Sequence, residues 1–334
     1  MNFIERTSCP VCSSPASSNS LYSVPFSSEK IVNYLDSFYL PQGSVNHNYL
    51  ANAQYELVKC NTCELVYQRY IPNDFLMGLL YEKWIDPNII LKKNVLNYSL
   101  QYFKKNAEEL CTILEHLTKK SSTVKMLDFG MGWGHWCMMA QAFGCEVYGL
   151  ELSKTRISYA KERGIKILKW EDLKSFTFDF INTEQVFEHI AQPKETIIYL
   201  AKSLKAEGIV KLSVPNGKDF NKVLSKMDWN APKGSEYSLN MVAPLEHINC
   251  FNNKALIRLG SEASLQLTQP EYNVTLQRQK STQTKEVKSL RQLLNSQKCI
   301  LEELIKKVNQ KLNPKAKINN LTPANSTKLF FKKV

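Results

Sequence analysis

Two pairs of cysteines, Cys9–Cys12 in CPVC and Cys60–Cys63 in CNTC, have the CxxC spacing that places two thiolates on one tight turn. Two such turns can close a tetrahedral zinc site, and four protein ligands leave no open position, so a metal held there would be structural. The 47 residues between the pairs exceed the gap of a compact zinc ribbon, and Ser13 and Glu64 stand where a glycine often follows the second cysteine. A second group is MLDFGMGWGHW at residues 126–136, where Asp128 is followed by Gly130, Gly132 and Gly134 at alternate positions. Glycines let a backbone turn tightly and approach a ligand with no Cβ in the way. A helix amino terminus directly after them offers unpaired N–H groups and a partial positive charge to a carboxylate or phosphate. Glu151 follows at the distance at which an acidic residue can grip ribose hydroxyls. The combination suits any adenosine cofactor.

These residues need elements to hold them, and from Val124 onward strand and helix signals alternate. VKMLDFG reads as a buried strand and GHWCMMAQAFG as a helix closing at Gly144; CEVYGLEL is a second strand and SKTRISYAKERG a helix stopped by Gly164. IKILKW and FDFINTEQ are further strands, PKETIIYLAKSLKAEG a helix stopped by Gly208, and IVKLSVPN a fifth strand. This rhythm predicts an α/β fold with a mostly parallel sheet covered on both faces. Residues 217–250 read as a long loop, of the kind that carries function in compact domains. A short helix (NKALIRLG), a strand (LQLTQPEY), a long amphipathic helix over 283–312 and a last strand in TKLFFKKV complete the reading. The boundaries expected are a zinc module at 1–75, a helical lead-in and substrate lid at 76–120, a cofactor domain at 121–270, and a basic helical insertion with a final strand at 271–334.

The net charge of +12 looks like a nucleic-acid signature until it is mapped. Residues 271–334 hold fourteen Lys/Arg against four Asp/Glu, a surplus of ten, so the other 270 residues carry only +2 (12 − 10). A basic helix of that kind is most often a solvated face. Nine cysteines, an odd number, do not suggest a disulfide framework. No apolar run approaches the ~20 residues needed to cross a bilayer, and MNFIERTSCPVC lacks the pattern of a secretory signal. A cytoplasmic location is expected.

LDFGMGWG, YGLELS, FDFINTEQVFEHI and LSVPN, in that order, resemble the class I S-adenosylmethionine-dependent methyltransferases over roughly residues 120–270. The resemblance implies a Rossmann-like seven-stranded sheet, with Asp128 and Gly130–Gly134 cradling the methionine part and Glu151 binding the ribose. It places Glu171 or Asp172, in WEDL, near the adenine. With CPVC and LVKCNTCELVYQ ahead of it, the chain is similar to the sugar methyltransferases that carry an amino-terminal zinc-binding domain. Those act on nucleotide-linked deoxysugars, many at carbon. Their carbon-methylating members carry a Glu-His pair after the fifth strand, matched here by Glu246–His247 in PLEHINCF, and a substrate-facing tyrosine in the lead-in, matched by Tyr81 in LLYEKW. Where that family has a second α/β domain, the basic helical segment is expected here.

Methyl transfer from a sulfonium needs alignment and, for a hydroxyl or carbon acid, removal of a proton. His247 is the expected base, since imidazole titrates near neutrality, and Glu246 would orient or support it. His189 in FEHI is expected to be structural or cofactor-side, His135 to be packing, and His47 and His116 show no partner in the sequence. NTEQ after the fourth strand replaces the NPPY or DPPY of amino-methylating DNA enzymes, and no Pro-Cys pair serves as a pyrimidine-directed nucleophile, so DNA methylation is disfavoured. The expected partner is a small molecule, a sugar or nucleotide sugar. The competing readings are an RNA methyltransferase with a structural zinc module and a non-enzymatic scaffold whose helix 283–312 pairs two copies or binds a partner.

Overall fold

The computed structural model describes residues 2–39, 44–86, 89, 91–92, 99–270 and 326–334. The amino-terminal part contains β1 (Phe3–Glu5), β2 (Ser20–Pro25), α1 (Glu29–Tyr39), β3 (Gln54–Lys59), β4 (Val66–Gln68) and β5 (Tyr70–Pro72). The expectation of a zinc module at 1–75 includes no helix. Yet Ile31, Leu35 and Tyr39 recur every four residues, and α1 buries that face against Phe26, Tyr55 and Leu80. Next come α2 (Asp74–Leu79), capped by the Asn73 side chain accepting from Leu76 N at 2.9 Å, and a π-helical turn at Leu80–Trp84. Helix α3 (Leu100–Leu117) starts at a Ser99 cap and ends where Thr118 turns left-handed at φ +50°.

The chain continues with β6 (Lys125–Phe129), α4 (His135–Ala142), β7 (Glu146–Leu150), α5 (Lys154–Lys161), β8 (Lys166–Ile167), β9 (Phe178–Glu184), α6 (Pro193–Lys202), β10 (Leu204–Pro215), α7 (Phe220–Lys226), β11 (Asn249–Cys250), α8 (Asn253–Glu262), β12 (Leu265–Thr268) and β13 (Ser326–Lys333). Seven strands form one sheet in the order β12-β13-β10-β9-β6-β7-β8. The pairs from β10 to β8 are parallel, and β13 is antiparallel to both of its neighbours. Along each strand successive side chains serve opposite faces. Met126, Val147, Phe180 and Ile209 pack with α3 and α4, whereas Leu127, Tyr148, Ile181 and Val210 pack with α6, α8 and the cysteine knuckles.

TKLFFKKV is a strand, as its β-rich composition predicts: Phe331 is buried, and a Cβ added at Gly260 of α8 would meet its ring at 2.3 Å. Its lysines are partly structural. Lys328 reaches Glu109 of α3, which also binds the fully buried Lys211 at 2.6 Å.

Several expectations need correction. The helix expected to run to Gly208 ends at Lys202, because Leu204 is already paired with Phe178 in the sheet; Gly208 instead fits against backbone carbonyls of Lys205 and Phe178, where a Cβ would lie within 3.0 Å. IKILKW keeps only Lys166–Ile167 as strand, since Trp170–Ser175 coil into a 3-10 turn. Residues 217–250 are not one loop: they contain α7, a 3-10 turn at Leu239–Val242, and β11. Strand β11 pairs with β4, so the order β11-β4-β3-β2 ties this segment into the sheet of the amino-terminal part. The expected helix over 283–312, and any pairing of copies through it, lies outside the described residues.

Candidate functional site

The four cysteines come together. All four Sγ atoms lie within 4.8 Å of one another, with Cys9–Cys63 and Cys12–Cys60 at 3.5 Å. Four sulfurs about 2.3 Å from a tetrahedral ion would be about 3.8 Å apart, so this set fits zinc, and the separations exclude disulfides, whose S–S length is about 2.05 Å. Ser13 and Glu64 adopt the left-handed backbone expected of the glycines they replace, at φ +59° and +63°. Cys60 Sγ accepts from Thr62 N and Cys63 N, and the hydrogen bond from Cys63 lowers the Cys9 thiol. Buried Arg6, three residues before Cys9, ties this part of the chain to β11 and to the segment before α6. Its guanidinium donates to Asn249 Oδ1 at 2.9 Å and Ala191 O at 2.9 Å, while Asn249 donates to the carbonyls of Phe187 and Ile190.

The glycine loop joins β6 to α4, with Gly130, Gly132 and Gly134 at φ +75°, +55° and +76°. A Cβ on Gly130 would strike Val186 at 2.6 Å and one on Gly134 would strike Ile165 at 2.4 Å. One on Gly132 would meet nothing within 4 Å, so this glycine faces open space, as a ligand cradle requires. Glu151 clasps the loop: one carboxylate oxygen accepts from Gly132 N at 2.9 Å and the other from Leu152 N and Ser153 N. Its remaining lone pairs are available to ribose hydroxyls, and Arg156 stands 3.8 Å away. Asp128 is buried, accepts from Asn182 Nδ2 at 2.7 Å and is contacted by the Cys137 thiol, and burial pushes its carboxyl up to about 6. Glu171 and Asp172 sit on the exposed 3-10 turn, where Asp172 accepts from Lys169 N at 2.9 Å. In the same turn Trp170 stacks on Tyr199, with centroids 4.5 Å apart.

Glu246 and His247 follow Leu245, a buried residue held at φ +72°. That left-handed leucine is strained and persists because its surroundings fix it. The His247 Nδ1 donates to the Asn240 carbonyl, which leaves Nε2 as the ring's lone-pair nitrogen. His189 packs against it with ring centroids 4.8 Å apart. The Nδ1 of His189 donates to the Glu246 carbonyl at 2.8 Å and lies 3.1 Å from Tyr81 Oη. Tyr81, Glu246 and His247 are therefore brought together through His189, a residue expected to be structural or cofactor-side. The available signal was topological: FEHI ends the fourth strand at the same carboxyl edge as PLEH.

Burial lowers both histidines, His189 to about 4 and His247 well below its ordinary value. Burial likewise raises Glu246 and Tyr81, and Tyr81 also feels Glu246, Glu188, Arg156 and Glu151, so it lies in the field of both the glycine-loop clasp and the Glu-His pair. Buried Glu188 beside His189 was likewise missed. Of the other histidines, His47 pairs with Asp36 at 2.7 Å, and His135 lies against the Tyr159 ring.

A methyltransferase-domain family model matches residues 102–269, half of the 334-residue chain. No curated protein matches the sequence. Similar solved structures include a protein assigned as a sarcosine dimethylglycine methyltransferase from Galdieria sulphuraria, 16% identical over 72% of this chain and 88% of that one, with a TM-score of 0.42. An S-adenosylmethionine-dependent methyltransferase from Archaeoglobus fulgidus is 17% identical over 71% of this chain and all of that one, with a TM-score of 0.37. CalS10, an amino pentose methyltransferase from Micromonospora echinaspora, is 16% identical over 37% of this chain and 55% of that one, with a TM-score of 0.32. No helix among the described residues is long and apolar enough to cross a membrane. With the family model spanning the glycine loop, its clasping glutamate and the strands that carry them, the chain belongs to the class I S-adenosylmethionine-dependent methyltransferases.

Proposed function

We propose that this enzyme methylates a sugar or nucleotide-linked sugar, with His247, Glu246 and Tyr81 on the acceptor side of the reaction. The observation that carries the reading is the Tyr81–His189–His247 cluster at the carboxyl edge of the sheet, the edge where α/β enzymes bind their ligands. When bound, S-adenosylmethionine supplies a methyl group on an already activated sulfonium. Gly130, Gly132 and Gly134 would line its methionine part, Asp128 would fix the loop's entry strand, and Glu151 would hold the ribose, with Glu171 or Asp172 towards the adenine. His247, neutral through burial, has Nε2 as the site for a proton from the acceptor. Tyr81 orients the acceptor, and Glu246 and His189 position Tyr81 and His247.

A cavity of about 440 Å³ supports the acceptor class. It lies between α1 and the segment after α7, lined by Tyr34, Phe38, Trp229, Lys233 and neighbouring small polar residues. Lys233 is close enough to influence Glu246, His189 and His247, and its Nζ lies 4.5 Å from the Phe38 ring centroid. Aromatic faces beside one cation suit an acceptor with a flat ring and an anionic link, as a nucleotide-linked sugar has. In the same reading residues 1–75 form a structural zinc module held by Cys9, Cys12, Cys60 and Cys63, and residues 76–120 a lead-in that brings Tyr81 over the site.

The test is transfer of label from S-adenosylmethionine to a panel of nucleotide sugars, free sugars and RNA, with the methylated atom located by NMR. Transfer to a nucleotide sugar or sugar is expected. Transfer to RNA with none to any sugar would overturn the proposal.

A further inference from the structure

A second cavity of about 660 Å³ opens between the Cys60–Cys63 knuckle, the turn after β10 and the start of β13. Four lysines line it, Lys59, Lys218, Lys254 and Lys328, against one carboxylate, Glu64. Glu64 is shared by Lys254 at 2.5 Å and Lys59 at 3.5 Å, and Lys328 is bound to Glu109. Lys218 has no carboxylate partner among the described residues. With Glu109 answering Lys328 from outside the lining, four lysines face two carboxylates, and the excess of +2 (4 − 2) rests on Lys218 and on Lys59 and Lys254 sharing Glu64.

The neutral lining is equally distinctive. Asn221 and Asn253 make no side-chain hydrogen bond among the described residues. Asn216 uses only its carbonyl oxygen, accepting from Lys218 N at 2.9 Å and Thr327 Oγ1 at 3.3 Å, so its amide donors are unused. Carboxamides pair with hydroxyl groups as both donors and acceptors, whereas lysines answer phosphate. No tyrosine or tryptophan lines the cavity, and its one aromatic residue, Phe220, is buried. It thus lacks the stacking surface that a nucleobase needs and that the cavity lined by Tyr34, Phe38 and Trp229 has. A single inorganic phosphate is far smaller than this space, which falls within the ~300–1,000 Å³ usual for small-molecule sites.

We propose that this cavity is a second small-molecule site that binds a phosphorylated sugar, its phosphate held by Lys218 and Lys254 and its hydroxyls by Asn216, Asn221 and Asn253. It uses none of the residues of the glycine loop or of the Tyr81–His247 cluster, so it stands or falls apart from the acceptor assignment.

The full chain would be titrated by calorimetry with α-D-glucose 1-phosphate, with glucose and with inorganic phosphate. Glucose 1-phosphate is expected to bind about tenfold or more tightly than either fragment, and more weakly as salt rises. Lys218→Glu, an exposed change at a residue with no ionic partner, should weaken that binding about tenfold or more. Asn221→Ala should weaken glucose 1-phosphate and leave inorganic phosphate unaffected. Retention of the melting shift given by S-adenosylhomocysteine would establish that both variants are folded. The proposal is overturned by the absence of saturable binding up to about 10 mM, by equal affinity for inorganic phosphate (an adventitious ion only), or by unchanged binding in both variants.

Discussion

The three loop glycines make different demands on the chain, and alanine substitution separates them. All three have left-handed backbones, which cost an alanine about 1–2 kcal/mol. At Gly132 that is the whole cost to the unliganded protein, because its Cβ would meet no atom within 4 Å. At Gly130 and Gly134 the new Cβ would overlap Val186 at 2.6 Å or Ile165 at 2.4 Å, adding about 1–3 kcal/mol of overpacking. Without ligand, Gly132→Ala should therefore be the most stable of the three, melting a few degrees below the parent at ~2–4 °C per kcal/mol. With ligand the order changes. S-adenosylhomocysteine at about a hundred times its Kd should stabilise the parent by about 2.7 kcal/mol. Gly132→Ala should lose most of that gain, because its Cβ enters the open space over the loop, and Gly132→Val should abolish it. Scanning calorimetry with and without ligand reads both quantities. A Gly132→Ala protein that keeps the full shift would refute the assignment of that space to the donor, as would a shift given by NAD and not by S-adenosylhomocysteine.

Further outcomes follow from the same geometry. The protein as purified should carry one zinc per chain, and Cys60→Ser should lower both metal content, measured by atomic emission, and melting temperature, since structural zinc contributes directly to folding. Deleting residues 326–334 should abolish cooperative unfolding, and Phe331→Ala, which empties a buried site beneath Gly260, should cost about 3–5 kcal/mol in denaturant melts. His247→Ala should lower turnover on the true acceptor about a hundredfold or more with cofactor affinity nearly intact. Because burial holds this imidazole well below its ordinary value, the histidine's acid limb should lie well below pH 6.5, not at it. Asp128 has a carboxyl raised from 3.8 to about 6, so it binds its proton more tightly folded than unfolded and removes on the order of 3 kcal/mol of stability as pH rises through that window. Asp128→Asn should flatten the fall in melting temperature between about pH 4 and 6 relative to the parent.

The sequence by itself determined the strand–glycine–helix unit and the two cysteine knuckles, because each depends on residues close together along the chain; that Glu151 clasps Gly132 N, 19 residues away, came from the fold. Alternating apolar residues place Met126 and Leu127 on opposite faces wherever the strand lies. A CxxC knuckle is likewise a local turn, and even its departures, Ser13 and Glu64, took the glycine-like backbone. TKLFFKKV was legible because two adjacent phenylalanines in a basic run need a buried edge. Only the tertiary structure decided what surrounds His247. Its partner histidine comes from 58 residues earlier (247 − 189), its tyrosine from the lead-in, and its hydrogen-bond acceptor from the 3-10 turn at Leu239–Val242. Its protonation was equally out of reach, since desolvation is set by which distant segments cover a group and not by its neighbours in sequence. The same reason explains the helix misread as reaching Gly208. Helical periodicity continued past Lys202, but pairing of Leu204 with Phe178 claimed the chain for the sheet, and a long-range pairing outweighs a local preference when it buries more apolar surface.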